Sequence, residues 1–190
     1  MKIRSFSEDA VVSERLIENC GNLGAESVVV FLDDALWDSP SLLTYSLGNP
    51  NNNTGIVFGI DPKGGNLRGL CATLLFRRVN ALQKIRISKE IRTGIPVFDT
   101  KLWQSASRLT DTTESPCVSC WTSDGRFAVE LSDGSYDFFG IECVVSPDLS
   151  VILSQEDDLL GVVFGNLDLI DRIVLEQGEL GYLERHAHRR

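Results

Sequence analysis

A few side-chain groupings in this chain are of types that do chemistry. Cys117-Val118-Ser119-Cys120 is the one C-x-x-C pair among five cysteines, a spacing used by zinc sites and by thiol–disulfide exchange. Zinc needs four ligands, and no second pair follows. A redox pair belongs at a helix start after a strand, whereas this one precedes a Trp and an apparent hairpin, so we read it as incidental. Asp33-Asp34 follows the apolar run Val28–Leu32, and Asp61 follows Thr54–Ile60. Carboxylates at strand ends can hold a divalent metal for hydrolysis. They serve equally as helix caps and turn residues. Histidine, the commonest general base, occurs only as His186 and His188, in a tail ending Arg189-Arg190. The chain has neither a phosphate-binding loop nor a dinucleotide fingerprint. These residues form no catalytic constellation along the sequence, and we expect no metal and no cofactor.

Charge is more informative than any motif. The net charge is −9, but residues 1–120 carry 13 basic and 13 acidic side chains, while residues 121–184 carry 14 acidic and 2 basic. Lys63 to Arg92 holds eight basic residues against Glu90. A basic middle facing an acidic C-terminal third would neutralise part of both within the fold. Alternatively, the acidic third attracts a basic protein partner and repels nucleic acid. The candidate partner-binding residues are Glu156, Asp157, Asp158, Asp168 and Asp171. Asp168 and Asp171, three apart, would share one face of a helix while Leu167, Ile170 and Val174 turn to the core.

The elements that must position these residues follow from periodicity and punctuation. Ser7-Glu8-Asp9 reads as a helix start, with Val12, Leu16, Ile17 and Cys20 at helical spacing, so a helix is expected over 8–20. Glu26–Leu32, Leu42–Leu47 and Thr54–Ile60 read as strands, with Asp61–Asn66 as a turn. The stretch from Leu67 to residue 83 fits both periods. A hairpin strand is the better choice, because Gly69 is a poor helix residue and a Gly-rich turn precedes it. Leu82–Ser88 alternates as a half-solvated strand. Residues 93–116 read as loop, with one short helix near 101–109. Arg126–Leu131, Tyr136–Val145 and Leu149–Leu153 read as a three-strand meander, the first turn carrying Asp133-Gly134. Leu160, Val163, Phe164, Leu167, Ile170, Ile173 and Val174 predict a helix over 159–175. No internal repeat is visible.

The expected architecture is therefore α+β. A mainly antiparallel sheet of about six or seven strands is packed by N- and C-terminal helices. We expect a single domain over 1–190, with a helix at 8–20, a β-rich body at 26–153, a helix at 159–175 and a flexible tail at 185–190. No apolar run is long enough to span a membrane. Met1–Phe6 leads into Ser7-Glu8-Asp9 with no apolar leader, and the odd cysteine count argues against a disulfide framework. A cytoplasmic protein is expected. Cys71 and Cys143, inside apolar runs, are expected to pack as small hydrophobes.

Two resemblances add to this reading. Gly59-Ile60-Asp61-Pro62 resembles the strand-end motif of RNase-H-like resolvases, whose aspartate holds a metal, but that pattern continues with glycine where this chain has Lys63. The strand succession Leu42–Ser88 and Phe127–Leu153 resembles the small antiparallel sheets of bacterial toxin-immunity proteins. The segment Leu74-Leu75-Phe76-Arg77-Arg78-Val79-Asn80-Ala81-Leu82-Gln83-Lys84-Ile85 follows their strand rhythm. The second resemblance implies a non-catalytic intracellular protein-binding module, an immunity or inhibitor protein that neutralises a basic partner such as a nuclease toxin. The first implies the alternative, a metal-dependent hydrolase or nuclease-like enzyme using acidic residues at strand ends.

Overall fold

The computed structural model describes residues 3–8, 13–19, 26–32, 42–49, 54–74, 86–100, 110–114, 118–122, 124–131 and 139–168. They hold fourteen strands: β1 (Ile3–Ser7), β2 (Ser13–Asn19), β3 (Glu26–Leu32), β4 (Leu43–Asn49), β5 (Thr54–Ile60), β6 (Leu67–Leu74), β7 (Arg86–Thr93), β8 (Ile95–Phe98), β9 (Thr110–Glu114), β10 (Val118–Trp121), β11 (Phe127–Glu130), β12 (Phe139–Ser146), β13 (Leu149–Leu153) and β14 (Leu159–Phe164). Among the described residues there is no helix, so none is long and apolar enough to cross a membrane.

The strands form two six-stranded sheets, in the orders β2-β3-β6-β5-β4-β9 and β10-β11-β14-β13-β12-β7, and a two-stranded sheet β1-β8. In each large sheet three hairpin-connected strands carry a fourth beside the last of them: β3 beside β6, and β11 beside β14. This is the Greek-key order. A parallel strand closes each sheet, β9 against β4 and β7 against β12.

The clean alternation of β4 explains one face of the core. Leu43, Tyr45 and Leu47 are buried, while Thr44 and Ser46 are half-buried. A strand with one wet face shows this period of two. In β12, by contrast, Cys143 and Val145 enter the main core and Ile141 is buried, yet Glu142, opposite Ile152 on the other face, is buried as well. One apolar cluster draws on all three sheets, through Ile3, Phe58, Phe98, Phe127 and Phe164 among others. Phe98 of the small sheet meets Phe58 of β5 edge-to-face at 6.1 Å.

The α+β expectation is overturned. The helix expected over 8–20 is strand β2 from Ser13 to Asn19, paired residue for residue with β3 from Leu32 back to Glu26. Pairing along the open edge of a buried strand satisfies seven residues of backbone at once, which outweighs a weak helical spacing. The helix expected over 159–175 is strand β14 from Leu159 to Phe164, central between β11 and β13. Its apolar residues serve both faces: Val162 and Phe164 join the main core, while Val163 joins Ala128 and Ile152 on the other side. A doubly covered strand reads as a continuous apolar run, which periodicity cannot separate from a helix.

The meander is corrected too. β12 and β13 pair as expected, but β11 pairs with β10 and β14 and is separated from β12 by two strands. The region 93–116 is not all loop, because it contains β8 and β9. β8 carries Pro96 on a two-stranded sheet, where a missing N–H is tolerated. β9, Thr-Asp-Thr-Thr-Glu, has no apolar residue to betray it. Strand, not helix, is found for Leu67–Leu74, while residues 75–83, the 101–109 helix, the Asp133-Gly134 turn, residues 169–175 and the tail lie outside the described residues.

Candidate functional site

The acidic segment Glu156-Asp157-Asp158 lies in the turn that joins β13 to β14. Ser154 organises it. The Ser154 hydroxyl accepts from the Glu156 and Asp158 backbone N–H groups, both at 3.1 Å, and the Ser154 N–H donates to the Asp158 carbonyl at 2.8 Å. A hydroxyl folding its own backbone in this way is a serine-type side-chain turn. Asp157 takes φ 61° and donates its N–H to the Ser154 carbonyl at 3.2 Å. The Asp157 carbonyl accepts from Ile3 N–H at 3.2 Å, and its carboxylate pairs with Arg92 of β7 at 2.7 Å. Glu156 is exposed, and Asp157 and Asp158 are partly exposed. The result is an acidic turn of fixed backbone, tied at one carboxylate to the basic stretch.

Asp168 is exposed but lies beyond the far end of β14. Six strand residues separate it from Asp158, about 20 Å at a strand's rise per residue. The helix that was to carry Asp168 is strand β14 over Leu159–Phe164. Asp171 lies outside the described residues. The structure thus brings together Glu156, Asp157 and Asp158, and sets Asp168 apart.

The other candidates have structural employment or fall outside the description. Asp61 opens the β5–β6 turn, its two carboxylate oxygens accepting from Lys63 N–H at 3.2 Å and Gly64 N–H at 3.0 Å. Cys143 is fully buried and Cys71 half-buried, and neither is in a disulfide. Burial pushes the Cys143 thiol up to about 12, with Glu142 adding to the rise and Arg92 opposing it. Cys120 belongs to β10, opposite Ala128, so the C-x-x-C segment ends in a strand. Cys117, Asp33, Asp34, His186 and His188 lie outside the described residues. Among the described residues, no group of three or more His, Cys, Asp or Glu side chains is placed to hold a metal ion.

Sequence reasoning missed a charge network among the described residues. Arg126, just before β11, pairs with Glu142 of β12 through both guanidinium nitrogens, Nη1 to Oε1 and Nη2 to Oε2, the latter at 3.1 Å. Arg126 Nε also donates to Asp124 at 2.8 Å, and Asp124 accepts from the Thr122 hydroxyl. Glu142 is buried, with 6% of its side chain exposed. Because β14 and β13 lie between β11 and β12, this pair links two strands that are not neighbours in the sheet. Its hydrogen bonds to Glu142 hold the Arg126 guanidinium above its ordinary value against the opposing effect of burial. Burial would raise the Asp124 carboxyl, but the Thr122 hydroxyl and Arg126 together hold it below 3.8. Two lone acids and one arginine spaced 2 and 16 residues apart give no sequence signal; only the sheet order brings them together.

No protein-family model matches this chain, and no curated protein matches it.

Proposed function

We propose that this chain is a non-catalytic protein-binding module of the cytoplasm that docks a basic protein partner through the β13–β14 turn. An inhibitor or immunity protein acting on an enzyme such as a nuclease toxin is the specific reading. The observation that carries it is the acidic turn itself: Glu156 and Asp158 stand on a backbone held by the Ser154 hydroxyl, by two turn hydrogen bonds and by Ile3. A fixed charged turn loses little freedom on binding, and like charges gathered there steer a basic surface into encounter. The wider surplus of acids over residues 121–184 acts in the same direction. Of the acids on which the enzyme reading rests, Asp61 is used as a turn cap, while Asp33 and Asp34 lie outside the described residues.

The test is a salt-resolved capture experiment. Immobilised chain should retain a basic protein from a lysate of its own source at about 0.05 M salt and release it near about 0.5 M. The Glu156→Lys/Asp158→Lys variant should associate with the purified partner about tenfold more slowly, with an unchanged melting temperature. An unchanged association rate would remove the turn from the interface. A melting temperature raised by Mg²⁺, Mn²⁺ or Zn²⁺ would instead revive the metal-dependent enzyme.

A further inference from the structure

The two large sheets agree far more closely than a shared Greek-key order requires. The order β2-β3-β6-β5-β4 is reproduced by β10-β11-β14-β13-β12, each strand eight places further along the chain. The registers agree as well. Leu43 opposes Ile60, which opposes Leu67; Ile141 opposes Leu153, which opposes Leu159. One residue further along, both sheets slip by one. Gly59 opposes Gly69, leaving Arg68 as the extra residue, and Ile152 opposes Gly161, leaving Leu160 as the extra residue. These are bulges at the same position, with glycine next to each. Beyond the bulge the match continues: Gly69 opposes Phe31 and Leu70 opposes Val30, as Gly161 opposes Glu130 and Val162 opposes Val129.

The turns preceding the bulges are built alike. Asp61 and Ser154 each open a turn, donating backbone N–H to its last carbonyl, Asn66 at 2.9 Å and Asp158 at 2.8 Å. Each folds the turn with its own side-chain oxygen, Asp61 accepting from Lys63 and Gly64, Ser154 from Glu156 and Asp158. Each turn has a left-handed residue in the penultimate place, Gly65 at φ 81° and Asp157 at φ 61°. The carbonyls of those two residues accept from Phe98 N–H at 2.8 Å and Ile3 N–H at 3.2 Å, and Ile3 and Phe98 are each other's partners in the small sheet.

We infer that residues 13–74 and 118–164 are two copies of one folding unit, related by an approximate two-fold axis through the Ile3–Phe98 pair. Each copy docks its turn on the strand that lies beside the axis. Among the positions matched above, only Val30/Val129, Leu67/Leu159 and Gly69/Gly161 are identical, which is why no repeat shows in the sequence. The duplication also says where the copies parted. The same turn reads Asp-Pro-Lys-Gly-Gly-Asn in one copy and Ser-Gln-Glu-Asp-Asp in the other. The acids gathered before β14 therefore stand in a turn whose backbone scheme does not need them. The equivalence of the two units does not rest on the partner reading.

Exchange of turns tests it in the full chain. In one variant residues 154–158 are replaced by a copy of residues 61–66, in a second residues 61–66 by a copy of 154–158, and in two controls each turn by a Gly/Ser segment of its own length. If the turns are equivalent, both grafts melt within about 2–4 °C of the parent and clearly above their Gly/Ser controls. The Ile3 and Phe98 amides should stay protected from hydrogen exchange in the grafts and lose protection in the controls. Grafts no more stable than the Gly/Ser controls, or loss of Ile3 and Phe98 protection in folded grafts, would overturn the inference.

Discussion

Arg126 is the residue that partners the buried Glu142 of the second large sheet. Removing it leaves the Glu142 carboxylate buried with its two guanidinium bonds gone. Breaking a fully buried pair from one side costs about 3–5 kcal/mol. Arg126 is itself 27% exposed, so Arg126→Ala should cost about 2–3 kcal/mol in chemical denaturation after that discount for solvent screening. The paired change Arg126→Met/Glu142→Leu should recover most of the loss, because an apolar pair pays no desolvation; no recovery would show that the network does more than neutralise Glu142. Cys143 gives a second expectation at this scale. Its thiol is held up near 12 in the fold, against an ordinary 9.0. A raised folded value means that the contribution to stability is complete below pH 9 and is lost as pH rises toward 12. Native Cys143 should therefore resist alkylation at pH 8 while the unfolded chain reacts, with peptide mapping as the readout. Rapid native labelling of Cys143 would contradict its burial.

At the scale of the element, the bulge in β14 is sterically constrained. A Cβ on Gly161 would stand 2.7 Å from the Val129 carbonyl oxygen, which is backbone and cannot swing aside. Gly161→Ala should thus destabilise by about 2–4 kcal/mol, whereas Leu160→Ala, at the bulge residue beside it, should cost less because Leu160 is only partly buried. Equal losses would show that the bulge tolerates a side chain. The same strand shows how far the sequence could be read. Glu26–Leu32, Thr54–Ile60 and Leu149–Leu153 were legible to the residue because a β-branched or alternating run met a strong turn at one end. Ser13–Asn19 and Leu159–Phe164 were not, because apolar residues next to one another satisfy a helical spacing as well as a two-faced strand. β9 was invisible, since a strand of Thr, Asp and Glu alone carries no apolar pattern, and only its pairing along β4 reveals it. Of the candidate site, the turn residues Glu156–Asp158 were legible as charge, whereas their separation from Asp168 required knowing that a strand stands between them.

At the scale of the molecule, the small sheet and the exchanged strands decide how the two large sheets behave. β9, which lies between β8 and β10 in the chain, completes the first sheet, and β7, which follows β6, completes the second. Each large sheet therefore takes a strand that adjoins the other large sheet in the chain, β9 being followed by β10 and β7 preceded by β6. Ile3 and Phe98 sit in the core cluster that both sheets share, and Phe98 is 1% exposed with its ring against Phe58. Unfolding one sheet alone would strip its sixth strand from the other and expose this cluster, so the described core should melt in one transition. Phe98→Ala tests this directly. Deleting a buried aromatic ring costs about 3–5 kcal/mol, and although the ring touches Phe58 of the first sheet, the loss should be felt equally in both. Amides of β6 and of β14 should lose hydrogen-exchange protection by the same factor, and far-ultraviolet and tryptophan signals should fall at one lower temperature. A loss of protection confined to β6, with β14 unchanged, would mean that the two halves unfold separately, and that the shared cluster and exchanged strands do not join them into one cooperative unit.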